Sequence, residues 1–239
     1  MASRARSLVL VLVVAIAVFV RLGLWQLERL DERRTINRRA EARRNAPPLD
    51  LNTGGATIEA ADRRVVLRGR YDRAHELVIR NQSYRGSPGV HLITPLRLPG
   101  RDTAVLVNRG FVPAPDAVTV DVAGLDEPGE VEVRGVAFPL PEGDDGRPVE
   151  RQGRTTWSRL TREAVRRAVP YPVAAVYVLQ SPDPGLPSFP RRVEPPPLDD
   201  GPHLSYAVQW FAFAAIAATF AVVVWRKGVG KARDVAGDG

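Results

Sequence analysis

The side chains with the widest chemical reach in this 239-residue sequence are three histidines, His75, His91 and His203, and there is no cysteine. Three scattered imidazoles without a thiolate do not make up the ligand set of an ordinary His/Cys metal site. Paired carboxylates stand at Asp126-Glu127, Asp144-Asp145 and Asp199-Asp200. Each lies in a Pro/Gly-rich stretch and reads as a solvated turn, not as an acid/base pair. No phosphate-cradling glycine loop or nucleophile elbow occurs, so the expectation is a protein that is not an enzyme. His203 differs from the other two by its setting, His203-Leu204-Ser205-Tyr206-Ala207-Val208-Gln209-Trp210-Phe211. On a helix that starts there, His203, Tyr206 and Trp210 share one face at i, i+3 and i+7. A neutral imidazole backed by aromatics beside apolar helix can serve as an axial haem ligand. The same residues also suit an interfacial histidine next to belt aromatics, and the residues alone favour that reading.

The elements that would carry such a site are two apolar runs. Leu8 to Val20 is uninterrupted, and Leu22, Leu24, Trp25 and Leu27 extend it past Arg21, Gly23 and Gln26. Twenty helical residues rise about 30 Å, the thickness of a bilayer core. Tyr206 to Trp225 is a second run of that length, stopped by Arg226 and Lys227 and bracketed by aromatics. A removable leader is the alternative for the first run, but the small-x-small triplet Ala15-Ile16-Ala17 lies inside the run, not after it. Arg21 is then either a snorkelling residue or a polar contact to a partner helix.

The charge agrees with this layout. The chain carries 34 Lys and Arg against 27 Asp and Glu, a net charge of +7, with a pI near 10.4. Residues 1–44 contribute +6 and residues 204–239 contribute +2, while residues 45–203 sum to −1. Nucleic-acid binding needs cations gathered on one folded face, so no nucleic acid is expected as a partner. Arg226, Lys227, Lys231 and Arg233 follow the second run and Asp199 and Asp200 precede it, which places the C-terminus inside by the positive-inside rule. Arg4 and Arg6 before the first run are outnumbered by Arg29, Arg33, Arg34, Arg38 and Arg39 after it, but two spans must leave both termini on one side. The expectation is a multi-pass protein of the cell membrane with both termini cytoplasmic and the middle exocytoplasmic. The missing cysteines leave the redox compartment unread.

The expected domains are a cytoplasmic N-terminus (1–6), a first transmembrane helix (7–27), a charged juxtamembrane helix (28–44), an exocytoplasmic domain (45–180), a Pro-rich linker (181–203), a second transmembrane helix (204–225) and a basic tail (226–239). Pro47-Pro48 ends the juxtamembrane helix. Val65–Tyr71, Leu77–Asn81, Gly89–Arg97, Ala104–Val112 and Glu130–Phe138 read as strands, with a last one at Ala174–Gln180, separated as in a meander or barrel. Residues 139–153 read as a polar loop and Leu160–Val169 as a helix opened by Thr161. The fold class is α+β and mainly antiparallel β. The eight prolines between Ser181 and Pro202 predict an extended spacer.

Several blocks together resemble a known family. Gly23-Leu24-Trp25-Gln26-Leu27-Glu28-Arg29 is similar to the G-x-W-Q-x-x-R signature of the surfeit locus protein 1 family of cytochrome c oxidase assembly factors. Gly86 to Leu96, Val105 to Pro113 and His203 to Phe211 follow in the family's order and spacing. The resemblance implies a bacterial-type factor that aids maturation of the catalytic subunit of a haem-copper oxidase and holds haem a for insertion. It implies His203 as iron ligand, Tyr206 and Trp210 lining the site, and Trp25, Gln26 and Arg29 facing it across the pair of spans. The partners implied are the catalytic subunit, haem a synthase and the bilayer; a haem-independent scaffold for the nascent subunit is the alternative. The chain departs from the family by placing Gly201-Pro202, not asparagines, before His203, and by having Arg33 or Arg34 where the family has lysine. Asn108, Arg109 and Gly110 read either as a bulge or turn, or as an anchor in which Arg109 meets a propionate or a partner carboxylate. Gly86 and Gly89 read as parts of a tight loop.

Overall fold

Apolar runs at the ends and alternating runs in the middle become, respectively, helices and sheet. The computed structural model describes residues 2–144 and 146–237. Met1, Asp145, Asp238 and Gly239, and with them half of the Asp144-Asp145 pair, lie outside the described residues. The orienting charges Arg4, Lys231 and Arg233 lie outside the described side chains. In chain order the elements are α1 (Ala2–Asn45), β1 (Leu49–Asp50), α2 (Leu51–Gly54), β2 (Arg64–Tyr71), β3 (Leu77–Tyr84), β4 (Ser87–Arg97), β5 (Ala104–Pro113), β6 (Val131–Pro139), β7 (Val149–Arg151), β8 (Arg154–Trp157), α3 (Arg162–Ala168), β9 (Val173–Gln180) and α4 (His203–Gly237). They divide into a helical unit, Met1–Arg39 with Leu198–Gly239, and a sheet unit, Ala40–Pro197. The apolar parts of α1 and α4 are both long and apolar enough to cross a membrane.

Five strands of the sheet unit close into a barrel. Neighbours run β2-β6-β9-β5-β4, and β4 returns to β2 through Arg70↔Arg97 and Tyr71↔Leu96. β3 pairs with β4 and carries β8 and β7 as an extension. The pairings are mainly antiparallel, with parallel ones at β1–β2, β3–β8 and β5–β9. The barrel interior holds Val65 and Leu67 of β2, Val105 and Val107 of β5, Val133 of β6 and Val176 and Val178 of β9. Leu106, on the opposite face of β5, packs with Ile93, Trp157 and Val165 under α3. β5 is thus buried on both faces, which is why it reads as a continuous apolar run and not as an alternation.

Turn chemistry extends two elements beyond their expected limits. β3 runs on to Tyr84 because Arg85 and Gly86, both at positive φ (51° and 82°), form the two-residue turn into β4. Residues 139–153, expected as a loop, contain the start of the small β7–β8 hairpin, turned at Gln152-Gly153 with φ of 49° and 72°. α3 starts where Thr161 accepts from the Ala164 amide at 3.2 Å.

The Pro-rich segment is not the free spacer that its composition predicts. Arg191 and Phe111 exchange backbone hydrogen bonds of 2.7 and 2.8 Å, adding a bridge to β5. Arg192 is buried and donates to Gln180 Oε1 at 3.0 Å. Composition describes the stiffness of the segment; the ladder edge of β5 and a buried polar partner decide where it lies.

Candidate functional site

In the helical unit α1 and α4 pack antiparallel along a seam with spacings of three and four. Phe19 stacks on Trp210 with ring centroids 5.8 Å apart, and Phe213 meets both rings. One turn on, a Cβ at Gly23 would stand 2.7 Å from the Phe211 ring, so glycine is what admits that ring. Ala207, Ala214, Ala217 and Ala221 complete the buried face of α4.

At the end of this seam Gln26 and His203 meet. His203 Nδ1 lies 2.8 Å from Gln26 Oε1, so the ring donates its Nδ1 hydrogen to the amide oxygen. The hydrogen is thereby assigned to Nδ1, and Nε2 carries a free lone pair, the state a metal-ligating histidine needs. His203 is partly exposed. Gly201 has φ +72°, and a Cβ there would lie 3.6 Å from Nε2, so Gly201-Pro202 leaves open the edge of the ring that a side chain would cover. Asp199 Oδ1 holds the Gly201 amide at 2.6 Å, and Pro202 O accepts from the Tyr206 amide at 3.1 Å, fixing the first turn of α4.

Asp200 anchors this turn to α1. It accepts from Arg34 Nε at 3.0 Å and from Asn37 Nδ2 at 3.1 Å, and the Arg34 hydrogen bond holds its carboxyl below the usual range. Asp199 and Asp200, expected to be solvated turn residues, therefore shape the entry to α4. Asn37 and Phe19 belong to the same neighbourhood and carry no motif that would single them out; the 3/4 spacing from Phe19 through Gly23 to Gln26 is the signal that could have placed them on one face.

The other expected residues lie elsewhere on the pair. Trp25 is 42 % exposed, and the Arg29 guanidinium stands over its ring at 5.9 Å while also pairing with Glu32 at 2.7 Å. Tyr206 is 46 % exposed. Of the six, the hydrogen bond joins Gln26 and His203, and Trp210 lies along the seam. Arg21 pairs with Glu28 on its own helix at 3.5 Å.

In the sheet unit Asn108-Arg109-Gly110 forms a bulge: Gly110 opposes Leu92 and Asn108 opposes Ile93, leaving Arg109 as the extra residue. Gly110, at φ 119°, lies against the Arg191 backbone, where no side chain would fit. Arg109 is fully buried, and the carboxylates it meets belong to its own chain. Its guanidinium bonds Glu76 at 3.2 Å, Glu127 at 2.8 Å and the Leu125 carbonyl, and lies over Tyr71 at 5.0 Å. Arg192 joins Glu127 from the Pro-rich segment, and Thr94 donates to Glu76 at 2.5 Å. Burial pushes the Glu127 carboxyl up, but the two arginines outweigh it and hold the group below its ordinary range. Gly86 lies in the β3–β4 turn, and Gly89 leaves room for the Phe111 ring.

Residues 13–215 match the SURF1 family. A SURF1-like protein of Monosiga brevicollis is 26 % identical over 221 residues, 87 % of this chain and 83 % of that protein. Surfeit locus protein 1 of Xenopus tropicalis is 30 % identical over 53 % of this chain and 46 % of its own length. Its counterpart in Takifugu rubripes is 29 % identical over 48 % and 55 %.

Proposed function

Because this chain belongs to the SURF1 family, we propose that it is an assembly factor that aids maturation of the catalytic subunit of a haem-copper oxidase by holding haem a on its helical pair. A general role in oxidase assembly follows from the family; the haem step rests on His203. The observation that supports it is the Gln26–His203 hydrogen bond of 2.8 Å, which assigns the ring hydrogen to Nδ1 and leaves Nε2 as a free donor of electrons. The residues present fit the group, since Gly201 keeps the Nε2 edge clear and apolar helix lies below it.

In this reading Gln26 orients the imidazole, His203 Nε2 would hold the iron, and Trp210, stacked on Phe19, keeps the two helices in register beneath the site. Haem a supplies the redox-active iron of the oxidase once it has been inserted. The protein acts at the membrane, with the sheet unit exocytoplasmic and both termini inside, and takes haem from haem a synthase to the catalytic subunit.

The visible spectrum of the chain purified from cells that make haem a tests this. A Soret band that His203→Ala removes, with the protein still folded, is the expected result. A colourless wild-type chain that still co-purifies with the oxidase subunit would overturn haem holding in favour of a scaffold.

A further inference from the structure

A recess of about 470 Å³ opens on the outside of the barrel, between β3, β4, β5 and β9 and the segments that precede α3. Its volume is that of a small-molecule site, on the order of 300–1,000 Å³. Ile79, Ile93 and Leu160 give it an apolar wall. His91 and Asn108, both inside the motifs singled out above, supply its polar floor.

The hydrogen bonds of Asn108 decide what that floor offers. Asn108 Oδ1 accepts the Gly110 amide at 3.0 Å, and a backbone N–H can only donate, so the amide orientation is fixed. Its Nδ2 then faces His91 Nδ1 at 3.2 Å, which makes Nδ1 the acceptor and puts the ring hydrogen on Nε2. Among the described residues nothing accepts from Nε2. Burial holds the imidazole neutral, its pKa pushed down to about 4, and Phe111 stands edge-on against the ring at 6.2 Å. Tyr177, stacked on Phe138, adds a hydroxyl with no partner among the described residues. The mouth carries both signs, Arg159 against Glu142 and Asp144, with Glu142 already paired to Arg162 at 2.6 Å. An apolar wall beside neutral polar groups, Gln82, Ser158 and Thr161 among them, under a rim of mixed charge favours a neutral ligand with a polar group over an ion.

We propose that this recess binds a neutral, apolar ring compound bearing a carbonyl group, whose oxygen accepts the Nε2 hydrogen of His91. A metal ion does not fit the same floor. Ligation through Nε2 would move the hydrogen to Nδ1, where it would face the Asn108 N–H donor.

The probe is 1-naphthamide, titrated into the full chain in detergent while the methyl resonances of Ile79 and Ile93 are followed; 1-methylnaphthalene and 1-naphthoate serve as references. Saturable shifts with 1-naphthamide are expected, weakened about tenfold by His91→Phe, the order of one hydrogen bond to a buried group. Leu160→Trp, which fills the recess from its wall, abolishes the shifts while the folded spectrum of the remaining methyl groups is retained, and decides the matter should His91→Phe not fold. Absence of saturable shifts in the wild type, equal binding of methylnaphthalene or naphthoate, or indifference to both variants would overturn the proposal.

Discussion

The molecule uses one chemical pair, an imidazole and a carboxamide, in two regions and with opposite polarity. In the helical unit the Gln26 oxygen accepts from His203 Nδ1 and leaves Nε2 as a lone pair. In the sheet unit the Asn108 amide donates to His91 Nδ1 and leaves Nε2 with the hydrogen. The first ring can ligate a metal and the second can only donate a hydrogen bond, although the two residues are identical. What an imidazole can do is therefore set by its neighbour. The units differ equally in their charges: Arg29 and Arg34 pair at the surface of the helices, whereas Arg109 and Arg192 are shut inside the sheet unit with Glu127 between them.

The largest effect that would sharpen this contrast is expected at Arg109. Arg109→Ala removes the buried cation shared by Glu76 and Glu127, leaving Glu76 with Arg73 at 3.6 Å and Glu127 with Arg192, a loss of about 3 kcal/mol for breaking a buried ion network from one side. Chemical unfolding of the full chain should show it, while the corresponding change at exposed Arg34 should cost less than about 1 kcal/mol. Equal effects at both positions would erase the distinction between the units.

Next in size is the pH dependence of the sheet unit. The folded pKa of His91 is depressed from 6.5 to about 4 by burial, so the unfolded chain binds more protons between these values. Stability is then complete above pH 6.5 and falls as the pH drops towards 4, by about 3 kcal/mol over the full window. His91→Phe should flatten that part of the stability curve; a slope that survives the substitution assigns it to other groups.

The smallest change in stability should come at Gln26. Gln26→Leu removes one half-buried hydrogen bond, worth about 1 kcal/mol, yet it frees the His203 ring and should weaken haem retention about 10- to 100-fold, as loss of an orienting partner does. Retention is read from the Soret absorbance left after washing. Full retention with Leu at this position would show that the amide does not prepare His203.

Much of this was legible from residue types. The two apolar runs, the alternation of β2 and β6 and the cap at Thr161 appear where local propensity and period predict them, because each depends on residues within one or two turns. The β7–β8 hairpin escaped because three- and four-residue strands hold too little alternation, and the Pro-rich segment misled because composition says nothing of the partner it lies against. Asn108-Arg109-Gly110 carried a bulge signal, but not its network: Glu76 and Glu127 stand 33 and 18 residues from Arg109. Gln26 and His203, 177 residues apart, were connected only through a family resemblance.

By itself the sequence determined the longer strands, the two terminal helices and how charge flanks their apolar runs, since these follow from period, length and composition along the chain. Only the tertiary structure decided which nitrogen of His91 and of His203 carries the hydrogen, that Arg109 faces inward and that Asp200 anchors α4. Each of these depends on an atom supplied from a distant part of the chain, at hydrogen-bond range, and no local pattern encodes that distance.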